Sequence, residues 1–157
     1  MDKKGFGLKK FANDEEKKKK EEKDKSMKMS ERLNLYKDRQ RNNLSENAYG
    51  AIVRLRMDNS HPLGFGYDKE YLSLKLRNRR YAYLESGWNV GTTQDSTSIV
   101  SGFVGFKAKQ NFRESLVFGV EEIGRGSVVY MVDNPLFRGF WYNGKLLFGN
   151  AVFLVGN

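Results

Sequence analysis

"GRGSVVYMVDNPLFRGFWYNGKLLFGNAVF", residues 124–153, is the stretch on which the fold turns. Gly124 and Gly126 flank Arg125, a spacing that permits a tight turn. "SVVYMVD" behind them is nearly continuous in apolar residues, as in a strand buried on both faces. Asn134 offers a helix cap and Pro135 suits a first helical turn, where its missing N–H costs nothing. Leu136, Phe137, Phe140 and Trp141 then recur at helical spacing, and "NGKLLFGNAVFLV" supplies a closing segment, helical or extended. A buried strand followed by an apolar-faced helix predicts an α/β layer arrangement. Its expected driving force is burial of Val128, Val129, Tyr130, Met131, Val132, Phe137, Phe140, Trp141, Leu147 and Phe148, at about 1.5–3 kcal/mol per large side chain. Chain entropy offsets most of that gain.

Upstream of this stretch the texture is β-rich. "AIVRLRMD" from Ala51 alternates, with Arg54 and Arg56 on one face. "HPLGFG" breaks the run, "YLSLKL" alternates again, and "YAYLES", "SIVSGFVGF" and "SLVFGVEEI" follow. The glycines of "GVEEIGRG" at 119–126 do not make a phosphate loop. Arg125 stands where the lysine belongs, Gly126 where a hydroxyl residue belongs, and a strand follows instead of a helix. They read as a turn joining strands 115–123 and 127–133. "GFGYDK" at 64–69 lacks the third glycine of a dinucleotide fingerprint and reads as a loop.

Before residue 45 the composition changes. The chain of 157 residues has a net charge of +9, and residues 1–44 hold fifteen Lys and Arg against nine Asp and Glu. "DEEKKKKEEKDK" at 14–25 has no apolar residue to bury, so a solvated helix or disordered linker is expected. A basic tail that contacts nucleic acid or an anionic surface is the functional alternative. The interleaved acids and the lack of an aromatic among the lysines argue against nucleic acid. "GFGLKKFA", with Phe6, Leu8 and Phe11, is a short apolar patch suited to a strand or a docking segment. No run approaches the roughly 18 apolar residues of a membrane span, and the charged first residues give no export signal, so a soluble chain is expected.

The chemistry-bearing inventory is short. There is no cysteine and one histidine, His61. Neither an HxxE nor an HExxH spacing occurs, so no complete zinc site is expected. A Ser-His-Asp site through His61 with Asp58 or Asp133 lacks a G-x-S-x-G elbow, and His61 before Pro62 reads as a turn histidine. Asp133 and Asn134 close the most apolar strand, the edge where open α/β sheets bind ligands. Asp133, Asn134 and Arg138 with His61 form the candidate ligand or interface cluster. The bland alternative makes Asn134 a cap and Arg138 an exposed helix residue. Phe137, Phe140, Trp141 and Phe148 read as packing.

"HPLGFGY" and "GSVVYMVDNPLFRGFW", together with "GWNVG" and "VSGFVGFKA", make residues 45–157 resemble the C-terminal region of M14-family zinc carboxypeptidases of Bacteroidetes-type bacteria. There a catalytic domain is followed by a region similar to class I glutamine amidotransferases. The resemblance implies a flavodoxin-like layered sheet with flanking helices, incomplete at its start, behind a charged insertion at 1–44. It implies zinc only in the parent's catalytic domain, with neither metal ligand nor catalytic residue here, and the amidotransferase cysteine has no counterpart. The expected role is a non-catalytic accessory domain or fragment whose partner is the upstream catalytic domain, with peptide substrate reached only through it. If the parent is exported, the implied location is periplasmic, outer-membrane-associated or secreted, with the signal peptide upstream. The alternative role is a free-standing binding module with a basic N-terminus.

Overall fold

The computed structural model describes residues 6–9, 35–77, 79–94, 98–110 and 112–156. A 3₁₀ turn (Tyr36–Asp38) leads into α1 (Arg39–Glu46), which buries none of its side chains. Five strands and two helices then follow a long first strand: β1 (Ala48–Met57), β2 (Glu70–Lys75), β3 (Trp88–Thr93), β4 (Ile99–Val104), α2 (Phe106–Gln110), β5 (Ser115–Ile123), β6 (Gly126–Met131) and α3 (Asn143–Phe153). The mixed α/β content matches expectation.

Every described strand pairing is antiparallel. The spatial order is β2-β1-β3-β5-β6, with β4 also paired to β1. A flavodoxin-like sheet is parallel and needs a crossover of a dozen or more residues, usually a helix, between strands. Here the β5–β6 connection is a two-residue turn, and β1 is joined to β2 through a 3₁₀ turn, Pro62–Gly64. The layered parallel arrangement is therefore replaced by a curled antiparallel sheet.

β1 organises that curl. From Ala51 it alternates as the sequence predicts, with Ala51, Val53, Leu55 and Met57 buried and Arg54 and Arg56 exposed. One edge pairs with β2 from Ala51↔Lys75 to Arg56↔Glu70. The other edge is shared, its first part by β4 and its end by β3. The β1–β4 register shifts between Tyr49 and Ala51, where Gly50 has φ +78. Gly102 opposite has φ +90, and a Cβ there would lie 2.2 Å from the Gly50 carbonyl oxygen. Only glycine permits this contact, and the resulting bulge bends β1.

The strand buried on both faces is β5, not β6: Ser115 through Glu121 are all buried, whereas β6 is a terminal strand that buries only Tyr130. An apolar run cannot by itself tell a central strand from a half-covered edge strand. The main core gathers Val53, Leu55, Leu63, Tyr71, Val90, Val117, Phe118, Val120 and Leu147, with Tyr71 and Phe118 edge-to-face at 5.3 Å. A smaller cluster of Leu84, Leu116 and Tyr130 is covered by Leu8. Of the two readings of this patch, residues 6–9 form no strand and dock through Leu8, while Phe6 is exposed and Phe11 lies outside the described residues. Gly7 N donates to Glu121 Oε2 at 2.9 Å, and Ala82 N donates to the Lys9 carbonyl at 3.0 Å.

The helix expected at 135–141 is absent. Asn134 Oδ1 accepts the Leu136 N–H at 2.9 Å, closing an Asx turn. A single 3₁₀ turn (Phe137–Gly139) follows, and Arg138 (φ 50) and Gly139 (φ 72) are left-handed, which no continuing helix tolerates. The closing segment from Asn143 is the helix. Of the residues expected to drive burial, Tyr130 and Leu147 are buried, while Phe140 and Phe148 are exposed.

Candidate functional site

The four candidate residues separate into three places. Asp133 is buried between the ends of the sheet. Ser73 Oγ donates to Asp133 Oδ2 at 2.9 Å, and Lys75 Nζ lies 3.4 Å from each of its carboxylate oxygens. Lys75 is 2% exposed, Ser73 2% and Asp133 8%. The lysine ammonium also stands 5.5 Å from the Phe112 ring centroid. Charges this deep must be paired, and here each is.

Sequence reasoning missed Lys75 and Ser73 because "YLSLKL" invites the opposite orientation. A period-2 reading turns Leu72, Leu74 and Leu76 inward. In the structure Tyr71, Ser73 and Lys75 face in, and Leu72 and Leu76 are each 40% exposed. The available signal was the ionic partner itself: Asp133 needs a buried cation, and Lys75 is one of the few within the strand pattern.

Asn134 is spent on its turn, and beside Asp133 it borders a small cavity of about 150 Å³ with Leu74, Leu76, Arg77 and Arg79. The Arg138 guanidinium lies 5.2 Å from the Phe137 ring centroid. No hydrogen bond or ion pair joins Arg138 to Asp133 among the described residues, so these two do not form a common site.

His61 lies elsewhere, in the loop after β1. Its Nδ1 accepts the Leu63 N–H at 3.1 Å and so caps the Pro62–Gly64 turn. Its ring is tilted 47° to that of Trp88 with centroids 5.3 Å apart. Burial pushes the imidazole below its ordinary pKa, against the opposing pull of the Asp58 carboxylate. Asp58 Oδ1 accepts from Ser60 N at 3.1 Å and from Ser60 Oγ at 2.6 Å. Those Ser60 hydrogen bonds hold its carboxyl below the usual range. A Ser-His-Asp triad requires Nδ1 to carry a proton donated to the aspartate. In this loop Nδ1 is an acceptor, and the nearby serine hydroxyl serves Asp58, so the arrangement is not that of a triad. His61, Asp58 and Trp88 instead line an open cleft of about 610 Å³, closed on its far side by the β5–β6 hairpin and residues 154–156.

The third feature is the surface of α3. Tyr67 OH bonds the Asn143 carbonyl and accepts from Leu147 N, and Asn150 Nδ2 donates to the carbonyls of Leu63 (3.1 Å) and Phe65 (2.7 Å). These bonds fix the stripe Gly144, Leu147, Asn150 against the core. Outside that stripe Leu146, Phe148, Val152 and Phe153 are exposed, with the exposed Lys145 among them. Phe65, Phe140 and Tyr142 are exposed as well.

Among the described residues no three His, Asp or Glu side chains converge where a metal could be held, and no helix is long and apolar enough to cross a membrane. The lysine run 14–25 lies outside the described residues. No protein-family model, curated protein or solved structure matches the chain.

Proposed function

We propose that this chain is a non-catalytic docking module, the accessory region of an M14-type zinc carboxypeptidase, and that it packs on the upstream catalytic domain through the outer face of α3. The single observation that carries the reading is that face: Leu146, Phe148 and Val152 are exposed on one helix. Contiguous exposed apolar surface on a soluble domain marks an interaction site, and each large side chain gains about 1.5–3 kcal/mol when covered. The strings on which the resemblance rests adjoin the same surface. Trp141 Nε1 and Asn143 Nδ2 both donate to the Leu72 carbonyl, tying "NPLFRGFW" and the start of α3 to the edge of β2. The antiparallel sheet gives no support to the amidotransferase-like part of the resemblance, so the proposal rests on the strings and the uncovered face.

The test compares the 157-residue chain with a chain extended upstream through its adjoining reading frame. Zinc and carboxypeptidase activity confined to the extended chain are expected. The substitutions Phe148→Asp and Val152→Asp are expected to lower the thermal transition of the extended chain by several degrees while leaving the short chain unchanged. Peptidase activity in the short chain, or an extended chain indifferent to both substitutions, would sink the reading.

A further inference from the structure

The cleft beside His61 is lined by none of the exposed apolar side chains of α3, and its chemistry differs. Its aromatic wall is the tilted His61–Trp88 pair, with Trp88 43% exposed. Its ionic groups are Asp58, Glu122 and Arg125. Asp58 uses one carboxylate oxygen on Ser60, and Oδ2 accepts no hydrogen bond from the described residues. Glu122 is exposed on β5 and forms no ion pair among them. Arg125, at the hairpin tip between two glycines, likewise forms none.

Two carboxylates against one guanidinium leave the lining net negative in a chain whose overall charge is +9. The end of α3 adds to this. Leu154 N and Val155 N both bond the Asn150 carbonyl, and residues 154–156 then run along the cleft, so the negative end of the helix dipole faces it. The Leu63 N–H donating to Nδ1, together with burial, keeps His61 neutral, so it does not repel a cation. Indole is the side chain best suited to hold a cation over its face.

We propose that this cleft binds an organic cation, a guanidinium or alkylammonium group, seated on the Trp88 and His61 rings and neutralised by Asp58 and Glu122. Such a group occurs on a basic side chain of a peptide or on a free small molecule. Both present the same planar or tetrahedral cation to the rings and the same N–H donors to the carboxylates. Arg125, which also lines the cleft, gives way to the incoming cation.

The experiment is a titration of the full chain with L-argininamide and, separately, with the peptide acetyl-Gly-Arg-Gly-amide, followed by ¹H–¹⁵N NMR of the two tryptophan indoles. The Trp88 indole signal is expected to shift saturably while that of Trp141 stays still. Tighter binding of the peptide identifies a cation carried on a chain, and equal binding identifies a free one. Glu122→Gln, an exposed change that leaves the fold intact, is expected to weaken binding by about fivefold. Asp58→Asn is expected to weaken it by a similar factor, and Trp88→Leu to abolish it. A shift that does not saturate, an equal response to acetate or phosphate, or unchanged affinity in the Asp58→Asn/Glu122→Gln double variant would each overturn the proposal. None of these outcomes depends on whether α3 docks on a catalytic domain.

Discussion

Lys75 Nζ stands 3.4 Å from both carboxylate oxygens of Asp133 and joins opposite ends of the sheet. Lys75 ends β2, at one limit of the strand order, and Asp133 follows β6, at the other. No backbone ladder closes the curl between them among the described residues. Side chains do it instead, with Ser73 Oγ on the same carboxylate and with Trp141 and Asn143 covering the Leu72 carbonyl on the edge of β2. An uncovered edge strand invites pairing with other chains, and this closure removes that hazard.

Removing one partner of this pair leaves a buried charge uncompensated. Asp133→Ala or Lys75→Met is expected to cost about 3–5 kcal/mol in urea unfolding. The triple change Lys75→Met, Asp133→Leu, Ser73→Ala removes every polar member together and is expected to recover most of that loss. A triple variant less stable than either single one would show that the ionic pair is worth more than apolar packing at this position.

The two parts of the fold that were legible in the sequence are those where local pattern and tertiary role agree. β1 alternates because one face lies on the core, and Gly124 and Gly126 mark a hairpin turn because the two strands are adjacent. Elsewhere tertiary context decided. The leucines of β2 face outward because Ser73 and Lys75 are needed inside by Asp133. Residues 135–141 carry helical spacing, but Asn134 and Arg138 take turn geometries that end the helix before it starts. The candidate site divided for a related reason. His61 and Asp133 are far apart in sequence, and nothing in their local patterns assigns one to a cleft and the other to a buried bridge.

Gly102 and Gly124 both have positive φ, but they face different surroundings. Gly124 (φ 66) looks into open space, so Gly124→Ala is expected to cost only the left-handed strain, about 1–2 kcal/mol. Gly102→Ala adds a Cβ at 2.2 Å from the Gly50 carbonyl oxygen and must also push β4 from β1. It is expected to lower the thermal transition by at least twice as much. Equal losses in the two variants would contradict the close approach at the β1 bulge.

The pH dependence of stability follows from His61. Its pKa in the folded chain lies below the ordinary value of 6.5, so between the two values the unfolded chain binds more protons. Stability therefore rises with pH through that window, is complete above 6.5, and is lost as the pH falls below it. His61→Gln is expected to flatten the thermal-transition profile in the window just below pH 6.5. Asp58, also lowered, contributes at a more acidic range, where its stabilisation is lost as the pH falls through its depressed pKa. A His61→Gln profile parallel to the parent's would remove the histidine from this account.

Glu121 shows how the segment 6–9 is held. The carboxylate is 8% exposed, and Tyr130 OH donates to Oε2 at 2.6 Å while Gly7 N donates to the same oxygen at 2.9 Å. Burial and the adjacent carboxylate raise the Tyr130 phenol above its ordinary pKa, so it remains protonated and able to donate. Tyr130→Phe removes one donor from a buried anion and is expected to cost about 1–3 kcal/mol. Gly7→Pro removes a second donor, since proline has no N–H, and crowds the carboxylate, where a Cβ would lie 2.6 Å from Oε1; release of Leu8 from the Leu84, Leu116 and Tyr130 cluster is expected to follow. Hydrogen exchange at the Ala82 amide reports that release directly, because Ala82 N donates to the Lys9 carbonyl. Faster exchange at Ala82 in Gly7→Pro, with the amides of β1 unchanged, is the expected result. Unchanged exchange at Ala82 would mean that the segment is held by Leu8 and Lys9 alone and that the Gly7 hydrogen bond contributes nothing to docking.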